Sequence, residues 1–150
     1  MAQTYTQIYI QIVFAVRGRR NLIPKKHKSE IFQYIAGIIR NRGHKLIRIN
    51  GMSDHVHILI GLKPTLSISD LVRDIKSNSS KFINEKQWIR EKFAWQEGFG
   101  AFSYGHSQLD RVVRYIENQE THHFKRSFQA EYLKFLKRFH VEFDDKYLFD

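Results

Sequence analysis

Thr6, Ile8, Ile10, Ile12, Phe14 and Val16 alternate with Tyr5, Gln7, Tyr9, Gln11 and Val13. That period of two predicts a strand with one buried face and one polar, aromatic face. Arg17 to Asn21 reads as a loop. Pro24 stands ahead of a helix expected over residues 26–42, where Ile31, Tyr34, Ile35, Ile38 and Ile39 fall at helical spacing and Gly43 supplies the stop. His44 to Asn50 and His55 to Leu62 read as two strands joined into a hairpin through residues 51–54. Ser67 with Asp70 predicts a capped helix over residues 68–85, with Leu71, Val72, Ile75, Phe82 and Ile83 as its apolar stripe. The aromatic, glycine-rich residues 92–105 read as a loop feeding a fourth strand. Ser107 and Asp110 are expected to cap a helix over residues 108–124, and residues 128–139 form a last amphipathic helix.

The order β-α-β-β-α-β followed by helices predicts an α+β, ferredoxin-like (RRM-like) fold. It has a four-stranded antiparallel sheet, helices on one face, the other face free, and C-terminal helices in addition. No internal repeat or long linker divides the chain, so residues 1–150 read as one domain. A polar, aromatic open sheet is also a common scaffold for single-stranded nucleic acid.

Charge sharpens that expectation. The formal net charge is +10, and residues 1–53 hold ten Lys or Arg against one acid, Glu30. The excess suggests a polyanionic partner, with nucleic acid ahead of an anionic membrane surface. There is no cysteine, which excludes sulfur chemistry and disulfides. No apolar run approaches the roughly 20 residues a membrane helix needs, so the chain is expected to be soluble and cytoplasmic, without a membrane partner.

Asp54-His55-Val56-His57-Ile58-Leu59-Ile60 carries the strongest chemical signal. Side chains two apart in a strand share a face, so Val56, Ile58 and Ile60 toward the core put both imidazoles on the opposite face. Two such histidines are candidate metal ligands, although strand histidines also serve as plain surface residues or bind zinc.

About sixty residues on, Arg111, Tyr115, Asn118, Gln119 and His122 gather on one side of the expected helix, apart from Leu109, Val112, Val113 and Ile116. A helical tyrosine is often a packing residue. Here an amide four residues on and a guanidinium four residues back suit a metal-bound phosphate better than a dry core. A divalent ion on His55, His57 and the Gln119 oxygen would have only neutral protein ligands and act as a Lewis acid, with Tyr115 as the nucleophile. Attack on a backbone phosphorus would leave a phosphotyrosine link, and rejoining would need no nucleotide cofactor.

The His-hydrophobic-His pattern at residues 55–57, together with Tyr115-Ile116-Glu117-Asn118-Gln119-Glu120 and His122-His123, resembles the HUH superfamily. The specific likeness is to the small single-tyrosine transposases of the insertion-sequence-two-hundred type. It runs over essentially the whole chain, including Trp95-Gln96 and Gly98 to Ser103. The resemblance implies a homodimeric DNA transposase with composite active sites that uses Mg²⁺ or Mn²⁺ and a 5′-phosphotyrosine. Its substrate would be single-stranded DNA with imperfect hairpins at the element ends. His55 and His57 match the strand ligands, Gln119 the helix ligand and Tyr115 the nucleophile, and Gly98, Gly100 and Gly105 are candidate pivots for the tyrosine helix.

Candidate DNA contacts are Tyr9, Gln11, Arg17, Arg19, Arg20, Lys25, Lys26, Arg42, Lys45, Arg48 and Arg111, with Tyr9 and Gln11 on the open sheet near the metal. His106, His122, His123 and His140 are alternative metal ligands. Competing readings are a non-catalytic single-strand-binding module on the same fold, a replication or conjugation initiator of the same superfamily, and a zinc hydrolase.

Overall fold

The computed structural model describes residues 3–121 and 127–144. Its strands are β1 (Tyr9–Ala15), β2 (Lys45–Met52), β3 (His55–Gly61) and β4 (Gly100–Tyr104), and its helices are α1 (Lys28–Asn41), α2 (Ile68–Lys86), α3 (Leu109–Glu117) and α4 (Phe128–Arg138). The sheet has the order β2-β3-β1-β4, with every pairing antiparallel. This is the expected α+β fold, with β3 and β1, the most apolar strands, at its centre.

The two faces of the sheet are both covered. Ile10, Ile12 and Phe14 of β1 and Val56, Ile58 and Ile60 of β3 point to one side and bury against Ile31, Ile35 and Ile39 of α1 and Leu71, Val72 and Ile75 of α2. The opposite face, expected to be free, is closed by the C-terminal helices. Val13, Ala15 and Phe102 pack with Phe128, Phe135 and Leu136 of α4, while Leu59 packs with Val112 and Ile116 of α3. The physical reason lies in the odd-numbered strand positions. Val13, Ala15 and Leu59 offer apolar area there that water would otherwise solvate at a cost of about 25 cal/mol per Å².

Local chemistry sets the element ends. Ser67 caps α2, accepting from the Asp70 N–H at 3.2 Å, and Gln87 ends it in the left-handed region. Ser127 caps α4 in the same way through Ala130. The expected Ser107 cap is replaced by Gln108, whose side-chain oxygen accepts from the Gly105 N–H at 2.9 Å. The expected helix over residues 108–124 loses regular geometry at Asn118 and resumes over 119–121, and its last expected residues lie outside those described.

The hairpin is tighter than expected, because β2 runs on to Met52 and leaves only Ser53 and Asp54 as the turn. Gly51 permits this: a Cβ there would stand 2.2 Å from the His55 carbonyl oxygen. No described helix is long and apolar enough to cross a membrane.

Candidate active site

Strand β3 presents the two histidines as its alternation requires. His55 lies opposite Ala15 of β1 and Met52 of β2, and His57 opposite Val13 and Asn50. With α3 and α4 closed over them, both imidazoles are fully buried, as are Gln11 and Gln119. Their ring centroids are 5.2 Å apart, with Phe128 stacked on His55 and Tyr115 edge-on to His57.

Helix α3 is fastened to the hairpin by Asn50, whose amide donates to the carbonyls of Ile116 and Glu117 at 2.9 and 3.2 Å. That latch brings Gln119 over the histidines, with its Oε1 3.0 Å from His55 Nε2. Tyr115, one helical turn back, is half-buried and donates its hydroxyl hydrogen to Glu131 Oε2. His55, His57, Gln119 and Tyr115 thus converge within one chain. No second subunit is needed to bring them together.

Glu131 of α4 is the residue that sequence reasoning missed. Its Oε1 accepts from His57 Nε2 at 2.9 Å and lies 3.6 Å from His55 Nε2, while its Oε2 takes the Tyr115 hydroxyl and stands 3.4 Å from Gln119 Nε2. The carboxylate is only 3% exposed. Among the described residues, His55, His57 and Glu131 form the group able to hold a metal ion, with ligand atoms all within 4.8 Å of one another.

The donor set fits a divalent ion. Two ligands at right angles about an ion 2.0–2.1 Å away stand about 3 Å apart, and the facing atoms here are separated by 2.9, 3.0 and 3.6 Å. Glu131 brings a carboxylate beside the neutral set expected from the sequence. As a ligand, its negative charge would hold a cation more firmly and leave that cation a weaker Lewis acid than the neutral set would.

Partners behind the imidazoles fix their orientation. His55 Nδ1 donates to Asp54 Oδ1 at 2.7 Å, leaving Nε2 turned into the site. His57 Nδ1 meets the Gln11 amide nitrogen at 2.9 Å, and Gln11 Oε1 accepts from the Tyr104 hydroxyl at 2.8 Å. Turning the amide over exchanges donor for acceptor, so Gln11 can serve either tautomer of His57. Burial pushes the Tyr104 phenol up to about 12 against the opposing charge of Arg138, so it is a proton donor at neutral pH.

The expected DNA contacts fall in different surroundings. Gln11, expected at a DNA surface, is buried behind His57, because α4 covers the sheet there. Tyr9 is half-buried near the start of β1, its ring 6.2 Å from that of His106. Arg20, Arg42 and Arg48 are in ion pairs with Glu91, Asp74 and Glu117. Arg17, Lys25, Lys26, Lys45 and Arg111 are exposed, and Arg19 is half-buried.

His106 and His140 lie outside the metal-capable group, and His122 and His123 lie outside the described residues. Of the expected pivots, Gly98 has a positive φ of 83°, whereas Gly100 makes room for Tyr132, whose ring a Cβ would meet at 2.8 Å.

Comparison with known proteins shows the family and the fold. The ISDra2 transposase TnpA of Deinococcus radiodurans is 23% identical over 119 residues, covering 75% of this chain and 84% of that protein. Two solved structures share the fold. One, a crystal structure from Deinococcus radiodurans assigned as a transposase, aligns with a TM-score of 0.61 at 21% identity over 79% of this chain and 96% of that one. The other, a REP-associated tyrosine transposase bound to a REP hairpin, aligns with a TM-score of 0.62 at 17% identity over 82% and 73%. Residues 4–119 match the family model described as "Transposase IS200 like", and the chain belongs to that family of single-tyrosine transposases.

Proposed function

We propose that this transposase cuts and rejoins single-stranded DNA at the ends of an insertion sequence through a 5′-phosphotyrosine link on Tyr115. The reading rests on one observation. The Tyr115 hydroxyl is bonded to the carboxylate that also meets His57, beside His55 and Gln119. His55, His57 and Glu131 would hold a divalent ion with the Gln119 oxygen alongside, and Mg²⁺ or Mn²⁺ suits the oxygen donors. When bound, such an ion supplies charge stabilisation to a phosphoryl oxygen.

The chain's own groups account for the remaining steps. The Tyr115 oxygen forms a bond to phosphorus as its proton passes to Glu131 Oε2, the acceptor already in contact with it. The bond from phosphorus to the 3′ oxygen breaks, and that oxygen leaves with the electron pair and takes up a proton as a 3′-hydroxyl. One phosphoester bond replaces another, so attack by a second strand's 3′-hydroxyl reverses the step without ATP.

Hairpin DNA is the proposed recognition element, supported by the REP hairpin bound to a relative of the same fold. The whole activity is assigned to one domain acting in the cytoplasm. A homodimer belongs to the same reading, with each subunit able to use its own Tyr115.

The test is covalent capture. Wild-type protein incubated with labelled single-stranded DNA from either flank of its gene and Mn²⁺ should give a band that resists denaturing electrophoresis. Tyr115→Phe should abolish that band and retain hairpin binding. An adduct of undiminished yield in the variant would remove Tyr115 from the mechanism, and absence of any wild-type adduct would reduce the chain to a binding module.

A further inference from the structure

Between α3 and α4 lies a cleft of about 570 Å³, with Tyr115 and Glu131 in its wall. Two rows of side chains run into it at helical spacing. Arg111 and Tyr115 are i and i+4 on α3, and Glu131, Lys134 and Arg138 are successive turns of one face of α4. We propose that this cleft is the slot for the phosphates of the strand to be cut, gripped by Arg111, Lys134 and Arg138. The inference rests on the strand-transfer reading and adds the path of the DNA backbone to it.

Charge carries the argument. Within the amino-terminal half, Arg20, Lys28, Arg42 and Arg48 face Glu91, Glu120, Asp74 and Glu117, so part of the basic excess is cancelled in space. The cleft is different. Arg111, Lys134 and Arg138 are exposed, and none is in an ion pair among the described residues. The acid in the lining, Glu131, is turned inward onto Tyr115 and His57. Three cations against one engaged carboxylate leave a positive channel that ends at the phenol. A polyanion entering it would lead a phosphorus to the Tyr115 oxygen, which is what in-line attack requires.

The test separates this path from the chemistry. In a Tyr115→Phe background, which cannot form an adduct, binding of fluorescein-labelled oligothymidylate is measured across a salt series. Lys134→Ala with Arg138→Ala should flatten the slope of log K against log[salt] by about 1.4, from about 0.7 per lost phosphate contact on single strands. Lys134→Arg with Arg138→Lys should keep the wild-type slope. An unchanged slope in the alanine pair would overturn the proposed path. Adduct formation with Tyr115 present then tests the underlying reading separately, because a wild-type protein without adduct but with the expected slope change would keep the path and lose the chemistry.

Discussion

Replacing Glu131 with Gln keeps the shape of the side chain and removes its charge, which isolates the contribution of the residue that completes the cluster. In the metal-free protein the carboxylate accepts from His57 at 2.9 Å and from Tyr115, at 3% exposure. An amide in its place turns its NH₂ toward one of those two groups: His57 can meet it as the other tautomer with Gln11 reversed, whereas toward Tyr115 it leaves a buried mismatch worth about 1–3 kcal/mol.

The larger signal comes with metal. A ligand at a hundred times its Kd stabilises the fold by about 2.7 kcal/mol, and a tenfold weaker site at the same concentration gives about 1.4. The difference, about 1.3 kcal/mol, corresponds to about 3–5 °C for a chain of this size. Thermal unfolding with and without Mn²⁺ reads it directly, with calorimetric titration of Mn²⁺ as a second measure. Tyr115→Phe, which leaves the ligand atoms in place, should keep the full Mn²⁺ shift. If Glu131→Gln also keeps it, Glu131 is not a metal ligand, and its contact with the histidines is a structural hydrogen bond alone.

Two further expectations concern the frame around the site. Gly51→Ala should destabilise the fold by about 1–3 kcal/mol in urea unfolding, because its Cβ would overlap the His55 carbonyl and force the hairpin apart; wild-type stability would mean the strands separate there at no cost. Lys76, which donates to the carbonyls of Gln96 and Gly98 beneath the approach to β4, is held down to about 8 by burial. The unfolded chain keeps that proton up to its ordinary value of 10.5, so the contribution of this group to stability is complete above 10.5 and is lost as pH falls through 8. The stability of wild type relative to Lys76→Met should therefore rise between pH 7.5 and 9.5, and a flat difference would contradict the assignment.

Much of the framework is legible in local periodicity. The alternation in Ile10 to Phe14 and Val56 to Ile60 sets which face of each strand is buried, and it turns His55 and His57 to the opposite face whatever covers them. The same alternation on the odd positions is harder to read, because Val13, Ala15 and Leu59 are interspersed with Gln11, His55 and His57. With polar and apolar residues in equal number, the face reads as solvated. In fact α3 and α4 bury the apolar members and leave the polar ones to satisfy one another.

Glu131 escaped for a related reason. It lies 74 residues from His57, and no local spacing links them. The available signal is its position in α4, where Phe128, Phe135 and Leu136 form an apolar stripe and Glu131 shares their burial. A carboxylate on the buried stripe of an amphipathic helix must find donors or a cation, since leaving it unpaired would cost several kcal/mol. His57 and Tyr115 are donors of the required kind. Joining that demand in α4 to the unexplained imidazole pair in β3 would have identified Glu131 as their partner.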